Sequence, residues 1–157
     1  MSSAPISYAI AGSLSYFESG LNYLQRKSYV PSLVISDDSP VWRHKVEILE
    51  RQIDLLICLA YPSILSPEEL KLFPKGCINL HAGLPKYRGR HPVPWMLIDG
   101  VEEIPVSIHY MDAEIDTGDI ITHDTVLVER DDDYASTLSK ISTVGNRLLY
   151  GAIQQIE

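Results

Sequence analysis

Only two cysteines, Cys58 and Cys77, occur in the 157 residues, and they form no Cys-x-x-Cys pair. That spacing argues against a zinc knuckle or a dithiol redox motif. Both thiols lie in apolar stretches and read as small buried hydrophobes, which suits a reducing cytoplasm. Positive charge is also scarce, with 13 Lys and Arg against 21 Asp and Glu, a net charge of −8. An evenly acidic surface repels a phosphate backbone, so nucleic acid is not an expected partner. No apolar run approaches the roughly 20 residues that span a bilayer, and no basic stretch leads into such a run at the N-terminus. Neither a membrane nor a secretory route is expected. Gly12 stands without the other glycines of a dinucleotide fingerprint, and no Gly-Lys-Ser/Thr is present, so NAD and ATP are not indicated. Asp112, Glu114, Asp116 and Asp119 fail as a calcium loop, because Gly118 comes one place late and His123 stands where the closing Glu is needed. No metal is expected. Internal repeats and low-complexity linkers are also missing.

What remains is an ordinary globular composition, 45% hydrophobic and 22% charged, in a length that suits one domain over residues 1–157. Ile6 to Ala11 reads as a strand that turns at Gly12-Ser13 into a helix carrying Phe17, Leu21 and Leu24. Leu33 to Ile35 reads as a second strand, and Trp42, Val46, Leu49 and Ile53 as the core stripe of a second crossover helix. The apolar run Leu55 to Ala60 has the pattern of a central parallel strand. Ser66-Pro67-Glu68-Glu69 supplies an N-cap hydroxyl, a first-turn proline and a capping carboxylate. Cys77 to Leu80 follows as a short strand, then a loop rich in Gly, Pro and basic residues from Ala82 to Pro94. Val106 to Met111 alternates as a strand with one buried face, Val106, Ile108 and Tyr110 inward, Ser107 and His109 on the polar face. Ile120 to Val128 reads as one or two further strands. Asp133 caps a last helix with Leu138, Ile141, Val144, Leu148 and Ala152 facing the core. The expectation is an α/β fold: a mostly parallel sheet flanked by helices, with ligands at the carboxyl ends of its strands.

Asn79 and His81 lie two apart at the end of a strand, so their side chains point to the same side. A neutral imidazole can take a proton from an attacking amine, and a carboxamide N–H can donate to an oxyanion. A carboxylate that fixes the imidazole tautomer completes an acyl-transfer set, and Asp116 is the nearest supplier. Spacing alone leaves these three residues equally open to structural hydrogen bonding. His109 reads as a packing or hydrogen-bonding residue, and Tyr87 and Trp95 as edge-of-core aromatics or pocket lining.

The surrounding wording is more specific. Ile78-Asn79-Leu80-His81, Leu84-Pro85-Lys86-Tyr87-Arg88-Gly89-Arg90 and Ile115-Asp116-Thr117-Gly118-Asp119-Ile120-Ile121 resemble the signature of the formyltransferases that use 10-formyltetrahydrofolate. The resemblance spans Leu55 to Ile121, and more loosely the first strand and the last helix. It implies a Rossmann-like formyltransferase fold, here shortened between Ile35 and Asp54. It also implies that Asn79 polarises the formyl oxygen, that His81 manages the amine proton, and that Asp116 holds His81 and relays a proton to the leaving folate nitrogen. The pterin would lie against backbone groups of Leu59 to Leu65 and Tyr110 to Asp116. Leu59, Ser63, Leu65, Tyr110, Asp112 and Asp116 are therefore the expected 10-formyltetrahydrofolate contacts.

The acceptor would be a small-molecule primary amine. The His81-Ala82-Gly83 wording is similar to that of sugar-modifying members and favours a nucleotide-linked amino sugar, with Gly12, Ser13, Lys86, Arg88 and Arg90 as acceptor-binding residues. A solvated loop is the plainer reading of the three cations. A homodimer is left open. Two other readings remain: hydrolysis of formyltetrahydrofolate by the same three residues, and a non-catalytic folate-binding or interaction module.

Overall fold

A computed structural model describes residues 5–157, except for the side chains of Leu14, Tyr16 and Phe17. The expected Phe17 position on the first helix therefore lies outside the described side chains. Among the described residues, six strands form a single sheet in the order β2-β1-β3-β4-β5-β6. They are β1 (Tyr8–Gly12), β2 (Leu33–Ser36), β3 (Leu55–Leu59), β4 (Cys77–Ala82), β5 (Glu103–Tyr110) and β6 (Ile120–Leu127). The first four run parallel, β5 runs antiparallel to β4, and β6 runs antiparallel to β5 and so along the first four. The helices are α1 (Leu14–Arg26), α2 (Lys45–Glu50), α3 (Pro67–Leu70), α4 (Pro92–Ile98) and α5 (Tyr134–Ile156).

Strand alternation sends the apolar residues into two cores. Tyr8, Ile10, Leu55, Ile57, Ile78, Val106 and Ile108 face Leu24 of α1, Met96 of α4 and the stripe Ile141, Leu148, Ala152 of α5. Ala9, Ala11, Leu56, Cys58 and Cys77 face Ile48 of α2, with Leu65 and Phe73. Both cysteines are free and buried. Burial pushes their thiols up, Cys77 to about 12.

Both expected caps form. Ser66 Oγ accepts from the Glu69 N–H and the Glu69 carboxylate accepts from the Ser66 N–H; Asp133 and Ser136 do the same for α5. Gly145 lets α5 lie against β4, since a Cβ there would stand 2.8 Å from Leu80 Cδ1. Leu80 lies between Asn79 and His81, so this contact backs the strand that carries them.

Three expectations need correction. The segment Val41–His44 is a 3-10 turn running into α2, and it buries Val41 and Ile48. Trp42, Val46 and Leu49, expected inside, are 59%, 68% and 55% exposed, and only Ile53 of that stripe is buried. Apolar residues occupy both sides of this segment, and the tighter turn decides which side meets the sheet. The Ala82 to Pro94 loop ends earlier than expected, because α4 starts at Pro92 with proline in its first turn. On β5 the expected solvent face is buried as well, with Ser107 and His109 each 1% exposed.

Candidate active site

The parallel strands end in register. Gly12 of β1 pairs with Leu59 of β3, and Cys58 of β3 pairs with Asn79 of β4. Gly12 has φ +150°, and a Cβ there would overlap the Leu59 carbonyl oxygen, so only glycine lets β1 turn into α1 at this point. Two strand spacings, about 10 Å, separate it from Asn79.

Asn79 and His81 project from β4 on the face opposite α5. His81 lies inside the strand, not beyond it. Across the ladder Asn79 pairs with His109 and His81 with Ser107. The third residue comes from the 111–119 loop. Tyr110 N–H donates to the Asp119 carbonyl at 2.9 Å and closes this loop. Gly118 passes so near the Tyr110 carbonyl that any Cβ would overlap it. Asp112 Oδ1 accepts from Glu114 N–H at 3.0 Å and from the Thr117 hydroxyl at 2.6 Å, fixing the turn inside. These ties hold Asp116 at φ +53°, a left-handed conformation that an L-residue adopts at a cost.

Asp116 consequently reaches both histidines. Its Oδ2 lies 3.5 Å from His81 Nδ1, and its Oδ1 lies 3.5 Å from His109 Nε2. The other nitrogen of each ring bonds a backbone carbonyl: His81 Nε2 donates to Tyr87 O at 2.7 Å, and His109 Nδ1 donates to Tyr110 O at 2.7 Å. A carbonyl only accepts, so the protons on those nitrogens are fixed. His81 Nδ1 is then the ring position that can gain a proton, beside a carboxylate that stabilises the imidazolium. In neutral His109, Nε2 accepts from Asn79 Nδ2 at 3.3 Å, which turns the carboxamide N–H groups of Asn79 toward the site. Burial opposes charge on Asp116; a hydrogen bond from the protonated His109 ring, whose Nε2 then donates instead of accepting from Asn79, the Gly89 N–H at 2.7 Å and the nearby imidazolium charge outweigh it. They hold the carboxyl below its ordinary range.

The basic loop separates into three roles. Arg88 lines a cavity of about 270 Å³ with Leu84, Pro85, Asp116, Thr117, Asp119 and Ile120. Arg90 donates to the Pro62 carbonyl at 2.8 Å and ties the loop to the 59–65 segment. The Lys86 ammonium stands 4.8 Å from the centre of the Tyr87 ring, whose hydroxyl donates to Asp99 at 2.6 Å. Only Arg88 of the three borders the cavity at Asp116. A larger cleft, about 640 Å³, lies between Leu97 to Glu102 and Leu127 to Asp132, away from these residues.

Leu59 and Leu65 are buried in the two cores, so their side chains are committed to packing. Ser63 and Asp112 are exposed, Tyr110 is half-buried and Ser13 Oγ bonds Ser15 Oγ at 3.1 Å. Trp95 is 59% exposed on α4. His109, read from the sequence as a packing or hydrogen-bonding residue, is both: it is buried and bonds the Asn79 carboxamide and the Tyr110 carbonyl. The available signal for its place at the site was a histidine on a strand that pairs with the Asn79 strand. No group of three His, Cys, Asp or Glu able to hold a metal occurs among the described residues.

A carboxamide, two imidazoles and a carboxylate, converging at the carboxyl ends of a Rossmann-like sheet, define a class of site suited to acyl transfer. The chain belongs to the formyl transferase family, whose domain model, described as "Formyl transferase", matches residues 33–153. It is 40% identical over 111 residues to a methionyl-tRNA formyltransferase of Desulforamulus reducens, covering 70% of this chain and 35% of that protein. A methionyl-tRNA formyltransferase of Synechococcus elongatus is 34% identical over 140 residues, covering 83% and 43%. The chain thus spans less than half the length of these curated relatives. Among solved structures, phosphoribosylglycinamide formyltransferase from Bacillus halodurans superposes with a TM-score of 0.78 at 24% identity, covering 96% of this chain and 94% of that one. A formyltetrahydrofolate deformylase from Pseudomonas syringae pv. tomato gives 0.81 at 20% identity, covering 97% and 61%. These two likenesses establish the shared fold. No helix among the described residues is long and apolar enough to cross a membrane.

Proposed function

We propose that this chain moves a formyl group from 10-formyltetrahydrofolate to the primary amine of a nucleotide-linked amino sugar in the cytoplasm. The observation that carries the reading is the meeting of Asn79, His81 and Asp116 within a formyl transferase domain. The amine nitrogen attacks the formyl carbon, and the carbonyl electron pair moves onto oxygen. An Asn79 N–H donates to that oxyanion. The proton lost by the attacking nitrogen passes to His81 Nδ1, beside Asp116. The intermediate then collapses, the bond from carbon to the folate nitrogen breaks, and the proton is delivered to that nitrogen. Tetrahydrofolate and the formamide leave.

Backbone groups of the 59–65 and 110–116 loops take the pterin, with Ser63 and Asp112 at the exposed rim. Gly12 and Ser13 at the head of α1, with Arg88 at the cavity, take anionic groups of the acceptor. The His81-Ala82-Gly83 wording supports the amino sugar. Methionyl-tRNA is the second reading, favoured by the 40% identity to a protein of that name. The net charge of −8 counts against it.

The test is to incubate the chain with 10-formyltetrahydrofolate and, in turn, nucleotide-linked amino sugars, phosphoribosylglycinamide and methionyl-tRNA. Tetrahydrofolate release is followed, with mass detection of product. Release that requires an amino sugar is expected. A formylated tRNA moves the assignment to the second reading, and release without any amine makes the chain a hydrolase. Donor binding with no turnover under any condition leaves a folate-binding module and overturns the proposal.

A further inference from the structure

The helical stretch 41–50 turns Trp42, Val46 and Leu49 outward at spacings of four and three, 59%, 68% and 55% exposed. This is the spacing of a seam that another helix covers. The seam is held rigidly from beneath. Val41 and Ile48 are buried, Trp42 N–H donates to Glu69 Oε1 at 2.9 Å, and Val41 N–H donates to Tyr61 Oη at 3.2 Å. The Arg43 guanidinium stands 5.6 Å from the centre of the Trp42 ring. A partner therefore meets a surface with little left to order.

The flanking charges are split along the axis. Arg43 and Lys45 lie at the beginning, while Glu47 and Glu50 lie toward the end, where Arg51 is held 2.6 Å from Glu47. A uniformly acidic partner would meet Glu50, and a uniformly basic one would meet Arg43 and Lys45. The same helix laid antiparallel satisfies both ends at once, with cations against carboxylates about a two-fold axis near Val46. We propose that this seam is a self-association surface, on which a second copy of the chain docks through Trp42, Val46 and Leu49 in antiparallel register. Ile48 packs with Ile35 of β2, the edge strand, whereas Asn79 and His81 sit on β4. The seam thus lies away from Asn79 and His81, and the inference stands independently of the formyl-transfer reading.

The test is sedentation of the full chain by analytical ultracentrifugation across a concentration series at low and moderate salt. A reversible dimer is expected, weakened about tenfold or more by Val46→Asp, which puts a charge at the centre of the seam. Arg43→Glu and Glu50→Arg should each weaken it, and the double variant Arg43→Glu/Glu50→Arg should recover most of the wild-type association. All three positions are exposed, so circular dichroism should show an unchanged fold. A wild type that stays monomeric up to several hundred micromolar overturns the proposal, as does a dimer indifferent to Val46→Asp. Failure of the double variant to recover association overturns the antiparallel register.

Discussion

Nε2 of His109 stands 3.5 Å from Oδ1 of Asp116, so a residue near the end of β5 helps set the charge and position of the loop carboxylate. The same nitrogen meets the Asn79 carboxamide at 3.3 Å, so one ring orients two of the three groups proposed to act on the formyl carbon.

His109→Ala should therefore lower kcat by roughly a hundredfold, the scale of a small misplacement of reacting groups, with a much smaller change in KM for the formyl donor. His109→Gln should recover part of that loss, since its carbonyl can accept the Asn79 N–H. Loss of the His109 bond also lets the Asp116 carboxyl rise toward its ordinary value, so the acid-side decline in activity should move to higher pH. Steady-state kinetics carried from pH 8 down to pH 3 checks both. A variant with wild-type kcat and an unmoved acid limb would show that the ring only fills space.

Asp116 should also make stability depend on acid. Its carboxyl lies below the ordinary 3.8 in the folded protein, so ionisation favours the fold. That contribution is present above 3.8 and is lost as the pH falls through the lower folded value. Urea midpoints of the wild type and Asp116→Asn, measured from pH 6 to 3, should converge as the pH drops. A constant gap across that range would place the stabilisation elsewhere.

The fold and the chemical groups differed in how far they could be read from sequence. Asn79 and His81 were legible because strand alternation puts residues two apart on one side, whatever the rest of the fold does. Asp116 was named as the carboxylate supplier and strengthened by its motif, but its reach to β4 was not legible, since it depends on a left-handed backbone and on Gly118 closing against Tyr110. The hydrogen-bonding role of His109 was legible, but its burial was not, because its face of β5 looked polar and polar residues on an alternating strand usually meet water. Here that face is buried against Asn79 and Asp116, where polarity serves the site. Trp42, Val46 and Leu49 were misplaced for a different reason. Their periodicity is as regular as that of a core stripe, and a 3-10 turn rotates them outward. Arg90 and Lys86 looked equivalent to Arg88 in sequence, and only the folded loop separates a tether and a ring contact from a cavity cation.

Gly118→Ala tests whether the loop geometry, more than the loop composition, places Asp116. A methyl group at this position overlaps the Tyr110 carbonyl oxygen, so the 111–119 loop must shift. The expected cost is about 1–3 kcal/mol of stability and most of the activity, read by chemical denaturation and by tetrahydrofolate release. Full activity in this variant would mean that the loop finds another route for the carboxylate.

The two thiols give a prediction that does not depend on the reaction at all. Cys58 and Cys77 are 1% and 2% exposed on the sheet face covered by α2, and burial holds both protonated, Cys77 up to about 12. The thiolate is the reactive form, so neither should react with a disulfide reagent at pH 8 in the native protein, and both should react once the chain unfolds. Because their folded values are raised above the ordinary 9.0, the stability they accompany is intact below pH 9 and declines as the pH rises toward the folded values. Thiol titration along a urea series should therefore follow the same transition as circular dichroism. Reaction of one thiol well before that transition would mean that the α2 side of the core opens separately from the rest, and would locate the weakest part of the fold at the 3-10 turn.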